Sequence, residues 1–164
     1  MKTNARLIAA LLAAATPLAA FAKDTRLTKK QVPGAVLATV AKKYPDAKQT
    51  GFEKEVEEGK TAYEVKLEMG ARRLEVSLSA DGKILTEEAV VAMKDLPEAV
   101  TKGLAASPYG SWKAVKAEKI ITGEDEQKPT WEIALSHGKE KAEAVFDASG
   151  AMVKDEKKGA GEKD

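Results

Sequence analysis

Beyond residue 48 the chain runs in short stretches that alternate apolar with polar side chains, and two of these stretches match each other. Tyr63-Glu64-Val65-Lys66-Leu67 and Trp131-Glu132-Ile133-Ala134-Leu135 both show the period of two expected of a half-buried strand. They lie 68 positions apart, and the same offset takes Gly70 to Gly138, Leu78 to Phe146 and Gly82 to Gly150. Upstream, Val32-Pro33-Gly34-Ala35-Val36 parallels Leu96-Pro97-Glu98-Ala99-Val100 at an offset of 64. Repeated features at fixed offsets indicate a duplicated unit. The change of offset predicts a helix-to-strand connection about four residues longer in the second copy. The boundary is expected near Lys94-Asp95, giving units over 23–94 and 95–156.

Each unit should open with a helix. Pro33 suits a first turn, where its missing amide hydrogen does no harm; Val36, Leu37, Val40 and Tyr44 share a helical stripe, and Pro45 stops it. In the second copy Asp95 is a candidate cap, Pro97 sits in the first turn, Val100 and Leu104 face one way, and Ser107-Pro108 ends the run. Strands are expected over Lys48 to Val56, Ala62 to Met69, Arg73 to Ala80 and Lys83 to Val91. In the second copy they are expected over Lys113 to Thr122, Thr130 to Ser136, Lys141 to Ala148 and Ala151 to Lys154. The predicted class is α+β: two tandem units, each a helix followed by an antiparallel meander, with the helices packed on one face of the sheet.

Charge predicts the hairpin register. A turn at Met69-Gly70 would set Glu64 against Glu75 and Lys66 against Arg73. A loop over Met69 to Arg72 instead sets Lys66 against Glu75, Glu68 against Arg73 and Val65 against Val76. Opposed charges shift a pair by roughly 0.2–1 kcal/mol, so the second register should win. The matching loop, His137 to Glu140, sets Trp131 against Phe146. Asp81-Gly82 and Ser149-Gly150 are expected to be tight two-residue turns.

In this register one face is apolar: Tyr63, Val65, Leu67, Leu74, Val76 and Leu78, matched by Trp131, Ile133, Leu135, Ala142, Ala144 and Phe146. The other carries Glu64, Lys66, Glu68, Glu75, Ser77 and Ser79, with Glu132 and Glu143 in the second copy, and is expected to face water.

Lys2 and Arg6, the apolar run Leu7 to Ala15, Pro17 and the small-residue end Ala20-Phe21-Ala22 have the order of a secretory signal, with cleavage expected after Ala22. The apolar run is far shorter than the roughly 20 residues that span a membrane. A periplasmic or secreted protein without stable membrane anchoring is therefore expected. There is no cysteine, so neither a disulfide nor a lipidated cysteine can help hold the protein. Without residues 1–22 the chain carries one more acidic than basic side chain, a balance that calls for no nucleic acid. Lys154 to Asp164 is almost wholly charged or glycine and is expected to be a solvated tail, disordered over 157–164.

With this order in view, the chain resembles the PepSY-like family of exported proteins, also described as β-lactamase-inhibitor-like. The likeness rests on Val32-Pro33 and Leu96-Pro97, on Tyr44-Pro45-Asp46-Ala47, on Tyr63 to Leu67 with Gly70, and on Asp81-Gly82-Lys83, and it covers about Leu27 to Glu156. Ser107-Pro108-Tyr109-Gly110 departs from the pattern. The resemblance implies tandem α+β units and a role in binding an envelope or secreted protein, such as a peptidase or another hydrolase, as an inhibitor-like module. It supplies no catalytic residue.

The residues themselves offer little chemistry. His137 is the only histidine, in a predicted turn, with no cysteine to join it in a metal site or a nucleophilic triad. The serines lie in no nucleophile elbow. Gly123-Glu124-Asp125-Glu126 lacks the spaced ligands of a calcium loop. Tyr63, Trp131 and Phe146 belong to the core by their spacing, and Arg72, Arg73, Lys139 and Lys141 form small basic turns. The reading is a non-enzymatic binding module without a cofactor, acting through Glu64, Lys66, Glu68, Arg72, Arg73, Glu75, Glu132 and Glu143. The alternative is a ligand sensor or small-cation binder using the acidic loop 123–126.

Overall fold

The computed structural model describes residues 25–57, 59–123 and 128–158, so the signal-like segment and the acidic residues 124–126 lie outside the described residues. The chain divides into two compact units at Glu87/Glu88.

The first unit holds β1 (Thr25–Arg26), α1 (Gly34–Lys43), β2 (Lys48–Glu57), β3 (Lys60–Met69), β4 (Arg72–Leu78) and β5 (Ile84–Val91), the last extending into the second. The second holds α2 (Glu98–Ala106), β6 (Lys113–Thr122), β7 (Thr130–His137), β8 (Glu140–Phe146) and β9 (Met152–Lys158). In each unit the strands lie side by side in chain order. The β1–β2, β2–β3, β3–β4, β6–β7, β7–β8 and β8–β9 pairings are all antiparallel. Strands and two α-helices make this an α+β fold.

The charge-derived register holds: Lys66 opposes Glu75, Glu68 opposes Arg73, Val65 opposes Val76, and Trp131 opposes Phe146. The loops are shorter than expected. Met69 pairs with Arg72 and His137 with Glu140, leaving only Gly70-Ala71 and Gly138-Lys139 as turns. Gly70 and Gly138, both at φ +61°, supply the left-handed backbone that so short a reversal needs.

The next turns are longer than the expected two residues. The Ser79 carbonyl accepts from the Gly82 amide at 2.9 Å, and the Asp147 carbonyl from Gly150 at 3.0 Å. A side-chain pair braces each turn in opposite order. The Ser79 hydroxyl donates to Asp81, and in the other copy the Ser149 hydroxyl donates to Asp147 at 2.6 Å. These bonds hold both aspartates below the usual carboxylate range.

Further corrections concern the ends of elements. Asp95 lies in a short 3-10 turn, and Pro97 takes the cap position of α2. The change of offset is split: β6 starts 65 positions after β2, and the rest of the extra length lies in the β6–β7 connection. Residues 154–158, expected to be solvated tail, pair with β8 as far as Lys141 opposite Lys158. An edge strand tolerates such charge because one side of it stays in water.

The core follows the predicted apolar face. Val65, Leu67, Val76 and Leu78 are buried in the first unit with Val36 and Val40 of α1, while Tyr63 is half-buried. In the second, Val100 of α2 clusters with Trp131, Ile133, Leu135, Ala142, Ala144 and Phe146.

Candidate functional site: the charged strand face

On β3, Ala62, Glu64, Lys66 and Glu68 point to the side opposite the core, as the pleat requires. Glu64 stands between Glu53 of β2 and Ser77 of β4, and Lys66 stands between Gly51 and Glu75. A bulge at Gln49/Gly51 leaves room for the Lys66 stem: its Cδ lies 3.2 Å from where a Cβ on Gly51 would be. The Lys66 amine is then 3.0 Å from Glu53 and 3.4 Å from Glu64.

This geometry corrects the expectation of a wet face. Glu64 is only 4% exposed and Ser77 7%, and Glu55 of β2 is buried too. β3 is an interior strand, so side chains on both neighbours crowd Glu64 and Lys66 arches over it. Two glutamates directly opposed would repel. The lysine between them offsets that repulsion and fixes both carboxylates.

The remaining first-unit residues are more open. Glu68 and Glu75 are half-buried, and Arg72 and Arg73 are exposed beside the Gly70-Ala71 turn. The structure thus brings Glu64, Lys66, Glu68, Arg73 and Glu75 onto one face, with Arg72 at its margin.

The second unit repeats the arrangement. Its β6 bulge, at Ala114/Lys116, lies at the matching place, and Glu118 opposes Glu132 as Glu53 opposes Glu64. Here the cation comes from the other strand of the pair: Lys116 lies 2.7 Å from Glu118, which is 7% exposed. Glu132 and Glu143 are half-buried, on neighbouring strands, with Glu143 opposite Ala134 and Glu156.

Sequence reasoning missed Glu53 and Glu118. Both could have been found by extending the register one strand outward, since Glu53-Lys54-Glu55 already alternates.

The array can present fixed charges to another molecule. Among the described residues no group of three or more histidine, aspartate or glutamate side chains is placed to hold a metal ion. His137 is exposed at the end of β7, with its Nδ1 3.9 Å from Glu140. No helix of the described residues is long and apolar enough to cross a membrane.

Comparison with known proteins agrees with the duplication. The family profile described as "Putative beta-lactamase-inhibitor-like, PepSY-like" matches twice, over residues 19–86 and 85–154. Among solved structures, a DUF2874 family protein from Bacteroides uniformis is similar at 18% identity and a TM-score of 0.65, covering 76% of this chain and 88% of that one. A putative periplasmic protein from Bacteroides eggerthii aligns at 18% identity and 0.66, over 77% and 88% of the two chains. A BLIP-like protein from Bacteroides fragilis aligns at 21% identity and 0.62, over 76% and 86%. At these identities the structures establish the fold alone. Among curated proteins nothing matches the chain at a significant level.

Proposed function

Because the chain belongs to the PepSY-like family, we propose that it is an exported, non-catalytic module that binds an envelope or secreted hydrolase and inhibits it. The order of charged, apolar and small residues over Met1 to Ala22 supports export, with cleavage after Ala22. The periplasmic description of the similar Bacteroides eggerthii protein agrees with that compartment.

The binding surface in this reading is the charged strand face: Lys66, Glu68, Arg73 and Glu75, flanked by Arg72, with Glu132 and Glu143 in the second unit, while the buried Glu64 holds Lys66 in place rather than meeting the partner. The observation that carries it is the bridging of Glu53 and Glu64 by Lys66. Side chains already fixed in the free protein lose little freedom when a partner docks, and that preorganisation favours tight binding. In each tandem unit the helix covers the apolar side of its meander, leaving the charged side for the partner. The contacts of Thr39 with Gly82 and of Val100 with the β7 and β8 side chains support that arrangement.

The test is inhibition. The chain without residues 1–22 is titrated into a purified serine β-lactamase and a purified periplasmic peptidase, each followed with a chromogenic substrate. A fall in rate that saturates near one inhibitor per enzyme is the expected result. Unchanged rates with both, together with no binding by calorimetry, would remove the inhibitor reading.

A further inference from the structure

The duplication provides an internal control, because a junction that both copies make through different residues marks a place that needs holding. One such junction ties the last strand of each meander to the end of its helix. In the first unit Lys43, the last residue of α1, forms an ion pair with the buried Glu87 of β5. The matching position, 68 residues on, is Asp155 of β9, and there the Tyr109 hydroxyl donates to the carboxylate at 2.5 Å. The chemistry differs and the junction persists.

Tyr109 is a firm anchor. It is buried just past the end of α2, and its amide donates to the Ser107 hydroxyl at 3.1 Å. Trp112 packs edge-on against its ring at 5.2 Å, and a Cβ on the neighbouring Gly110 would stand 2.3 Å from the Ala105 carbonyl oxygen. The Lys157 amine lies 5.9 Å from the centre of the Trp112 ring, so the same corner meets β9 at two alternate residues.

β9 has little else to hold it besides its ladder with β8. Every residue from Met152 to Lys157 is exposed, and the apolar cluster of the second unit draws on none of them. A bulge interrupts the pairing near the start of the strand, leaving Val153 without an opposite residue. Past it, Glu156 stands opposite Glu143 and Lys158 opposite Lys141. Directly opposed like charges destabilise a strand pair, and opposite charges on the diagonal, such as Lys154 and Glu143, offset that repulsion without adding apolar contact. A segment with so few buried apolar contacts opens more readily than the core strands beside it.

We propose that β9 is a latched edge strand, opening as a unit while the rest of the second unit stays folded, and that the Tyr109–Asp155 bond is its latch. Opening takes Glu156 away from Glu143 on the charged strand face and bares the edge of β8, so it remodels the second unit's share of that surface. The inference stands apart from the hydrolase reading, because local opening needs no partner.

Hydrogen exchange followed by mass spectrometry tests this on the chain lacking residues 1–22, at a pH where reclosing outpaces exchange. Peptides covering β9 should exchange about tenfold or more faster than those covering β7. Tyr109→Phe keeps the ring, and Asp155→Ala alters an exposed side chain; each should speed β9 exchange by about tenfold, the loss of one hydrogen bond to a charged group. The two changes combined should add little to either alone, since both remove the same bond. Ile133→Val, at a fully buried site in β7, should lower the urea midpoint yet leave β9 exchange as in the parent, because the opened form keeps that core packed. β9 exchange as slow as that of β7, or quickened as much as β7 by Ile133→Val, would show that β9 opens only with the whole unit and overturn the proposal. Parental β9 rates in both latch variants would overturn the latch.

Discussion

The Thr39 hydroxyl of α1 donates to the Gly82 carbonyl at 2.9 Å, joining the helix of the first unit to the turn between its last two strands. The second unit makes the same junction without a side chain. Gly103 replaces Thr39, and a Cβ on Gly103 would stand 1.9 Å from the Gly150 carbonyl oxygen. Each turn glycine in turn lies against a helix carbonyl: a Cβ would meet Ala35 O at 2.7 Å from Gly82 and Ala99 O at 2.1 Å from Gly150. The matched glycines, at φ +87° and +84°, are therefore docking points as well as turn residues.

Alanine at these turns should separate backbone strain from docking. Gly70→Ala and Gly138→Ala, at left-handed positions with open space, should cost about 1–2 kcal/mol. Gly82→Ala and Gly150→Ala should cost more, because the helix carbonyl must also move, and Gly150→Ala should be the worse of the two. Urea unfolding of the four variants measures this. Equal losses would show that the close approach contributes nothing.

Lys66→Met should destabilise the first unit by about 1–2 kcal/mol, a surface-discounted value for removing the cation between two fixed carboxylates. Glu64→Gln should cost less, because it also removes the opposed charge. A double-mutant cycle over Lys66 and Glu64 reads the coupling directly, and a coupling near zero would contradict the bridge.

Tyr109 should ionise well above the ordinary tyrosine range. Its bond to Asp155, reinforced by burial, pushes its pKa up to about 12 from an ordinary 10. A raised pKa means the folded state holds the phenolic proton more tightly. The associated stability is complete below pH 10 and is lost as pH rises toward 12. Tyr109→Phe should cost about 1.5 kcal/mol at neutral pH and flatten that alkaline limb. Absorbance titration of the phenolates and urea midpoints between pH 9 and roughly 12 test both halves.

The sequence revealed the strand register because an error in it would pair like charges on β3 and β4, and that penalty is local. It revealed the core for a related reason: alternation on interior strands specifies which face is dry. Burial of Glu64 was not legible. It depends on side chains from two flanking strands and on the path Lys66 takes over Gly51, none of which a single alternating segment contains. The start of β9 was legible, but its end was not, because Lys154 to Lys158 has no apolar pattern, and an edge strand does not need one. The bond from Tyr109 to Asp155 spans 46 positions, with no periodic signal linking its ends.

Trp131→Ala should cost about 3–5 kcal/mol, the range for emptying a buried aromatic site. Glu98→Ala, which removes an exposed ion pair with Lys102, should stay within about 0.5 kcal/mol. Similar losses in the two variants would place the core elsewhere.

The central claim, that the charged strand face binds a hydrolase, is tested most directly by comparing inhibition constants of the parent and the Lys66→Ala, Glu75→Ala double variant. The comparison uses the same purified β-lactamase or peptidase, with folding of both proteins verified by urea unfolding. The account predicts inhibition by the parent and at least a tenfold weaker constant for the double variant at low salt, with the difference shrinking as salt screens the charges. Equal inhibition constants for two equally folded proteins would contradict it.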